Sequence, residues 1–143
     1  MILVDANLLI YAYDSDSRLH DRARPWLERT LTRAEPVRLA WVTLLAFLRI
    51  TTNPRVLARP LSIAEAMGIV DEWLGQPSVA TLEPGARYWT ILKDLLPAAQ
   101  IRGPLVMDAH LAALAIEHGA TLLSTDRDFA RFPGVQVRNP LEG

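Results

Sequence analysis

Apolar residues recur along the chain in two kinds of run. Short blocks at Ile2–Val4, Val37–Ala40, Val79–Leu82, Thr121–Leu123 and 135–137 are apolar almost throughout and rich in β-branched residues. Such blocks fit strands buried on both faces of a parallel sheet. Between them lie longer stretches with apolar residues three or four apart, the spacing of a helix face. These predict helices over 7–13, 19–34, 42–51, 63–74, 86–99 and 107–118, with a short helical turn at 128–132.

Several boundaries carry their own chemistry. Asp14, Ser15, Asp16 and Ser17 form a polar loop that ends the first helix, and Pro25 falls inside the second. The segment 42–51 is apolar on nearly every side apart from Arg49, so it is expected to be buried on most faces. Asn53-Pro54 stops it. Ser62 and Glu65 have the capping-box spacing, and Ile63, Met67, Val70 and Leu74 mark an expected inner stripe. Trp89, Leu92 and Leu96 mark another, and Gly119 stands where a left-handed residue closes a helix. Alternating strands and helices predict an α/β fold: a mostly parallel central sheet of four or five short strands flanked by helices. No repeat or linker divides the chain, so one domain over 1–143 is expected.

Composition adds bounds. Half of the 143 residues are apolar, enough for a core without covalent staples, and no cysteine is present, which excludes disulfides, thiolate nucleophiles and cysteine-rich zinc sites. Asp5 interrupts the first apolar run, and no stretch reaches the roughly 18–20 apolar residues that cross a bilayer, so a soluble cytoplasmic protein is expected. Net charge is −1, which lacks the strongly basic balance of many nucleic-acid binders. Lys93 is the only lysine against fourteen arginines. Arginine suits bidentate phosphate contacts, but a genome's base composition produces the same bias.

The chemistry lies in the acids. In open α/β sheets ligands bind beyond the carboxyl ends of the strands. Asp5 follows the first strand, Asp126 and Asp128 follow the fourth in LLSTDRDF, and Asp108 opens the helix VMDAHLAALAIEHG. Each can be read as a cap or turn residue. Jointly, acids gathered at one sheet edge repel one another unless a cation neutralises them. Oxygen ligands without a nearby histidine point to Mg²⁺ or Mn²⁺ rather than zinc. His20, His110 and His118 show no ligand spacing. Asn7 can order the Asp5 loop, Thr125 can steady a ligand carboxylate or only shape its turn, and Arg49 can pair with an acid or receive phosphate. Trp26, Trp41, Trp73 and Trp89 read as core or interface.

The stretches VDANLLIYA, WVTLLAFLRITTNPRV and MDAHLAALAIEHGATLLSTDRDFARFPG together resemble the PIN domain, and within it the VapC toxins of bacterial toxin–antitoxin pairs. The resemblance implies a metal-dependent endoribonuclease acting on structured RNA such as tRNA or rRNA. It also implies a VapB-type antitoxin and a homodimer. Its catalytic acids would be Asp5, Asp108, Asp126 and Asp128, with Asp5, Asp108 and Asp126 on the metal. One departure stands out: family members commonly carry glutamate where LLAFLR has Ala46. That keeps open a PIN fold that binds RNA or protein without cutting. Aspartyl phosphatases fit less well, since Asn7 stands where they want a second aspartate; nor does any G-K-[ST] phosphate loop occur.

Overall fold

The computed structural model describes residues 1–142. Five strands, β1 (Ile2–Val4), β2 (Val37–Ala40), β3 (Val79–Leu82), β4 (Thr121–Leu123) and β5 (Val137–Arg138), pair side by side in the order β3-β2-β1-β4-β5. Every pairing is parallel, with Ile2 opposite Val37 and Thr121, Val37 opposite Val79, and Leu122 opposite Val137. The chain winds outward from β1 through β2 to β3, then returns to place β4 on the other flank of β1. Strand order therefore reverses between β1 and β4.

Because alternate strand residues face opposite ways, the sheet feeds two apolar layers. Ile2, Val4, Leu39 and Leu123 pack under α1 (Ala6–Tyr13), α2 (His20–Leu31), α3 (Trp41–Thr51) and α4 (Ile63–Leu74). Leu3, Ala40 and Leu122 pack under α5 (Tyr88–Ala98) and α6 (Leu105–His118), joined by Phe129 and Phe132. Phe129 lies in a 3-10 turn, Arg127–Arg131. Among the described residues no helix is long and apolar enough to cross a membrane.

Local signals act as their chemistry requires. Ser62 accepts from the Glu65 amide while the Glu65 carboxylate accepts from the Ser62 amide, closing the capping box. Gly119 ends α6 at φ +66°, the left-handed conformation that a Cβ disfavours. α2 stops at Leu31 rather than at 34, where the Thr32 hydroxyl bonds back to the Glu28 and Arg29 carbonyls. The last strand is Val137–Arg138, displaced from 135–137.

Helix phase departs from expectation in three places. On α4 the buried residues are Ala66, Val70 and Trp73, whereas Ile63 and Met67 are 55% and 54% exposed. Trp73 sets this rotation, because its ring seats against Phe47 at 4.6 Å and Tyr13 at 5.8 Å between centroids. On α5 Leu92 and Leu95 are buried and Trp89 is exposed. On α3 the stripe Trp41, Leu45 and Arg49 faces outward, so that helix is not buried on most sides. Trp26 and Trp73 are core; Trp41 and Trp89 are not.

Phe47 fixes the rotation of α3: it is fully buried and meets Trp73 and Tyr13 edge-on or tilted. Phe47→Ala is expected to cost about 3–5 kcal/mol in urea denaturation, the range for emptying a buried aromatic site. A loss below about 1 kcal/mol would show that this cluster does not anchor the helix.

Candidate functional site

The helices run back antiparallel to the strands, so the amino ends of α1, α3 and α6 gather at the carboxyl edge of the sheet. Asp5 leaves β1 at that edge. Its Oδ1 accepts from the Ala6 amide at 2.8 Å, capping α1. Its Oδ2 accepts from the Ser124 hydroxyl at 2.7 Å. The partnership follows from register: Val4 lies opposite Leu123, which leaves Asp5 beside Ser124 one step further on. The Asp5 amide completes the ladder to the Leu123 carbonyl at 2.9 Å.

Ser124 is the centre of a small polar network. Its Oγ also accepts from the Asp126 amide at 3.0 Å and from Asn7 Nδ2 at 3.4 Å. Asn7 Nδ2 donates to Thr125 Oγ1 at 2.9 Å, while Asn7 Oδ1 is buried without a partner among the described residues. Asn7 and Thr125 thus tie the start of α1 to the loop after β4. Ser124 is 2% exposed and was not singled out from the sequence. Its role depends on β1 and β4 being neighbours, and residues 117 or more apart carry no local sign of that.

Asp126 caps the 3-10 turn, its Oδ1 accepting from the Asp128 amide at 2.9 Å. Asp108 caps nothing: α6 begins at Leu105 after Pro104, so Asp108 sits inside the first turn with no local task. One carboxylate oxygen each from Asp108, Asp126 and Asp128 lie within 4.8 Å of one another. The tight triad thus joins Asp108 and Asp126 to Asp128. Asp5 borders it, near enough to Asp126 and Asp108 for their charges to be felt.

The acids strain against one another. Burial pushes the Asp108 carboxyl up to about 6, and Asp126, Asp5 and Asp128 push the same way, against the weaker pull of Arg131. Asp5 is raised too, chiefly by burial, with Asp126 adding to it; the bonds from Ser124 and Ala6 hold it down. Asp128 has one outside partner, an exposed Arg131 at 3.7 Å.

Beside Asp5 and Asp108 opens a cleft of about 500 Å³ between α3 and α6. Ala46 lines it, as do Thr43 and Arg49, so the residue that departs from the family pattern faces the acids. Arg49 makes no ion pair among the described residues, contrary to one reading of it. The histidines lie elsewhere in the hydrogen-bond pattern: His20 bonds the Tyr11 carbonyl, His118 the Glu83 carbonyl, and His110 the Tyr88 hydroxyl.

The sequence profile of the PIN domain matches residues 2–135. Ribonuclease VapC37 of Mycobacterium tuberculosis is 43% identical over 140 residues, covering 98% of this chain and 97% of the relative. Ribonuclease VapC43 of the same organism is 42% identical over 143 residues, covering 100% of this chain and 97% of the relative. Among solved structures, VapBC2 from Rickettsia felis bound to a promoter DNA fragment superposes with a TM-score of 0.69 at 18% identity, covering 97% of this chain and 98% of the other. M. tuberculosis VapC20, described as a sarcin-ricin loop cleaving toxin, gives 0.68 at 16% identity over 97% of this chain and 100% of the other. Those two structures share the fold. With a profile match over nearly the whole chain and full-length relatives above 40% identity, the protein belongs to the PIN-domain family, among its VapC ribonucleases.

Proposed function

We propose that this chain is the toxin of a toxin–antitoxin pair, an endoribonuclease that cuts structured RNA such as tRNA or rRNA with the help of Mg²⁺ or Mn²⁺. The observation that carries the reading is the carboxylate triad Asp108, Asp126 and Asp128, with Asp5 beside it, at the point where strand order reverses. Full-length likeness to proteins named VapC ribonucleases supports the substrate class. By the same likeness the partners are a VapB-type antitoxin and a second copy of the chain.

The donor set fits a hard divalent ion. All donors are carboxylate oxygens and no histidine or thiol competes; Asp108 is held above the usual carboxylate range first by burial and then by its acidic neighbours. When bound, the ion would neutralise phosphate charge and acidify a water for in-line attack on phosphorus. Asp5, Asp108 and Asp126 would hold it, with Asp128 completing the tight triad beside them. Ser124 keeps one Asp5 oxygen turned to the loop after β4, and Asn7 and Thr125 keep that loop at a fixed distance from α1. Positioning of this kind matters because an ångström of misplacement in a reacting geometry costs about a hundredfold in rate.

Ala46 is the observation that favours a second reading, a PIN fold that binds RNA without cutting. One experiment separates the two: incubate bulk tRNA and ribosomal RNA with the purified protein in Mg²⁺ or Mn²⁺, with an EDTA control. Cleavage that EDTA stops is expected, and Asp126→Asn and Asp5→Asn should abolish it while leaving the fold intact by circular dichroism. Intact RNA in both metals would leave only the binding reading.

The electrostatics give a separate test. A carboxyl raised by folding weakens the fold as pH rises from its unfolded pKa toward its folded one, since the unfolded chain then gives up the proton more readily. For Asp108 that window runs from 3.8 to about 6. In EDTA at pH 7.5, Asp108→Asn should melt about 2–4 °C above the parent, a figure reduced for solvent screening of a half-exposed group. The gap should close at pH 4 and reverse at pH 7.5 in Mg²⁺. Equal melting in EDTA at both pH values would show that the acids do not strain the fold.

A further inference from the structure

The α3 side of the cleft has a character opposite to the acid side. Arg49 is the only basic residue lining it, it is exposed, and no carboxylate pairs with it among the described residues. The neighbouring lining is apolar: Leu45 from α3 is 60% exposed and Met107 from α6 is 49% exposed, with Leu111 behind. Thr43, in the same wall, has a buried hydroxyl with no hydrogen-bond partner. About 500 Å³ of space lies among these groups, within the usual range for a small-ligand site. One exposed guanidinium and two protruding apolar side chains suit a ligand that is anionic at one end and flat and apolar at the other.

We propose that this wall is a nucleotide subsite, in which Arg49 binds an RNA phosphate next to the scissile one and the attached base lies against Leu45 and Met107. The proposal rests on the ribonuclease reading for its ligand and on Arg49 and Ala46 for its location. Ala46 and Arg49 lie three positions apart, so both project near the same side of α3. A carboxylate at 46 would pair with the guanidinium and bring negative charge into the apolar part of the cleft. Alanine leaves Arg49 free for phosphate and leaves room for a base. The residue that removes one acid from this site thereby creates a place for substrate.

The test uses a 5′-fluorescein 12-nucleotide single-stranded RNA of mixed sequence, with bulk tRNA as a second probe. Binding is measured in Ca²⁺ for the parent, Arg49→Ala, Arg49→Lys, Ala46→Glu and the double variant Ala46→Glu with Arg49→Ala. Arg49→Ala should weaken binding about tenfold, as expected for loss of one charge-assisted contact. It should also lower the slope of log affinity against log salt by about 0.7, the value for one phosphate on a single strand. Arg49→Lys should restore most of the slope. Ala46→Glu should weaken binding more in the parent than in the Arg49→Ala background. In an abasic scan of the RNA, one position should weaken the parent and leave Leu45→Ser unaffected. Where cleavage is measured, Arg49→Ala should raise KM about tenfold and change kcat less than threefold, because ground-state contacts act mainly on KM.

Unchanged affinity and salt slope in Arg49→Ala overturn the subsite and leave the ribonuclease reading standing. Arg49-dependent binding without cleavage in Mg²⁺ or Mn²⁺ supports the subsite and overturns that reading. A parent that binds neither probe overturns the subsite, as do variants that lose only an antitoxin's binding, which would mark the wall as a protein contact.

Discussion

The pairing of β1 with β4 is the constraint on which the site depends. Two strands of three residues each are set in register so that Val4 faces Leu123, and the next residues, Asp5 and Ser124, meet as hydrogen-bond partners. Parallel neighbours need a long crossover, and here the chain spends more than a hundred residues on two further strands and six helices before β4 arrives. Slipping one of them by a residue would turn that strand over. Its apolar residues would exchange layers, and Asp5 would lose the hydroxyl that holds it. The tight apolar layers on both faces therefore fix a polar contact that neither layer touches.

Capping and site-building use the same atoms. Asp5 caps α1 with one oxygen and meets Ser124 with the other; Asp126 caps the 3-10 turn and still presents an oxygen to the triad. A cap fixes the side-chain torsions of the residue that makes it, so these carboxylates are oriented before any ligand arrives. Asp108 differs, since no cap or ion pair restrains it, and it carries the largest upward shift of the group. Burial first, and the neighbouring acids second, disfavour the charged form at the residue with the fewest local ties. Burial elsewhere in two apolar layers supplies the stability against which that local cost is set.

Legibility of the sequence divides along the same lines. Strands β1 to β4 could be read to the residue, because a short apolar block bounded by polar residues has only one way to sit in a doubly covered sheet. The capping box at Ser62 and the left-handed Gly119 are local and were equally plain. Helix phase was not. On α4 both Ile63-Met67-Val70 and Ala66-Val70-Trp73 satisfy helical spacing, and only the position of Phe47, from another helix, chooses between them. The acids at Asp5, Asp108, Asp126 and Asp128 were visible as residues past strand ends or at a helix start. Ser124 required knowledge of which strand adjoins which.

The role of position 46 comes from the rotation of α3. Phe47 is fully buried against Trp73 and Tyr13, which leaves residue 46 at the edge of the core and Arg49 beyond it. Rotating the helix by one residue would put Phe47 into the cleft and Ala46 into the core, where a small side chain would be ordinary packing. With the rotation as it is, alanine is a choice about charge: the cleft keeps acids on the α6 side and a lone guanidinium on the α3 side. Opposite charges left unpaired across an open cleft attract a ligand that carries both kinds of partner. A phosphodiester with its counter-cation would be such a ligand, the cation matching the acids and a neighbouring phosphate matching the arginine, as proposed above.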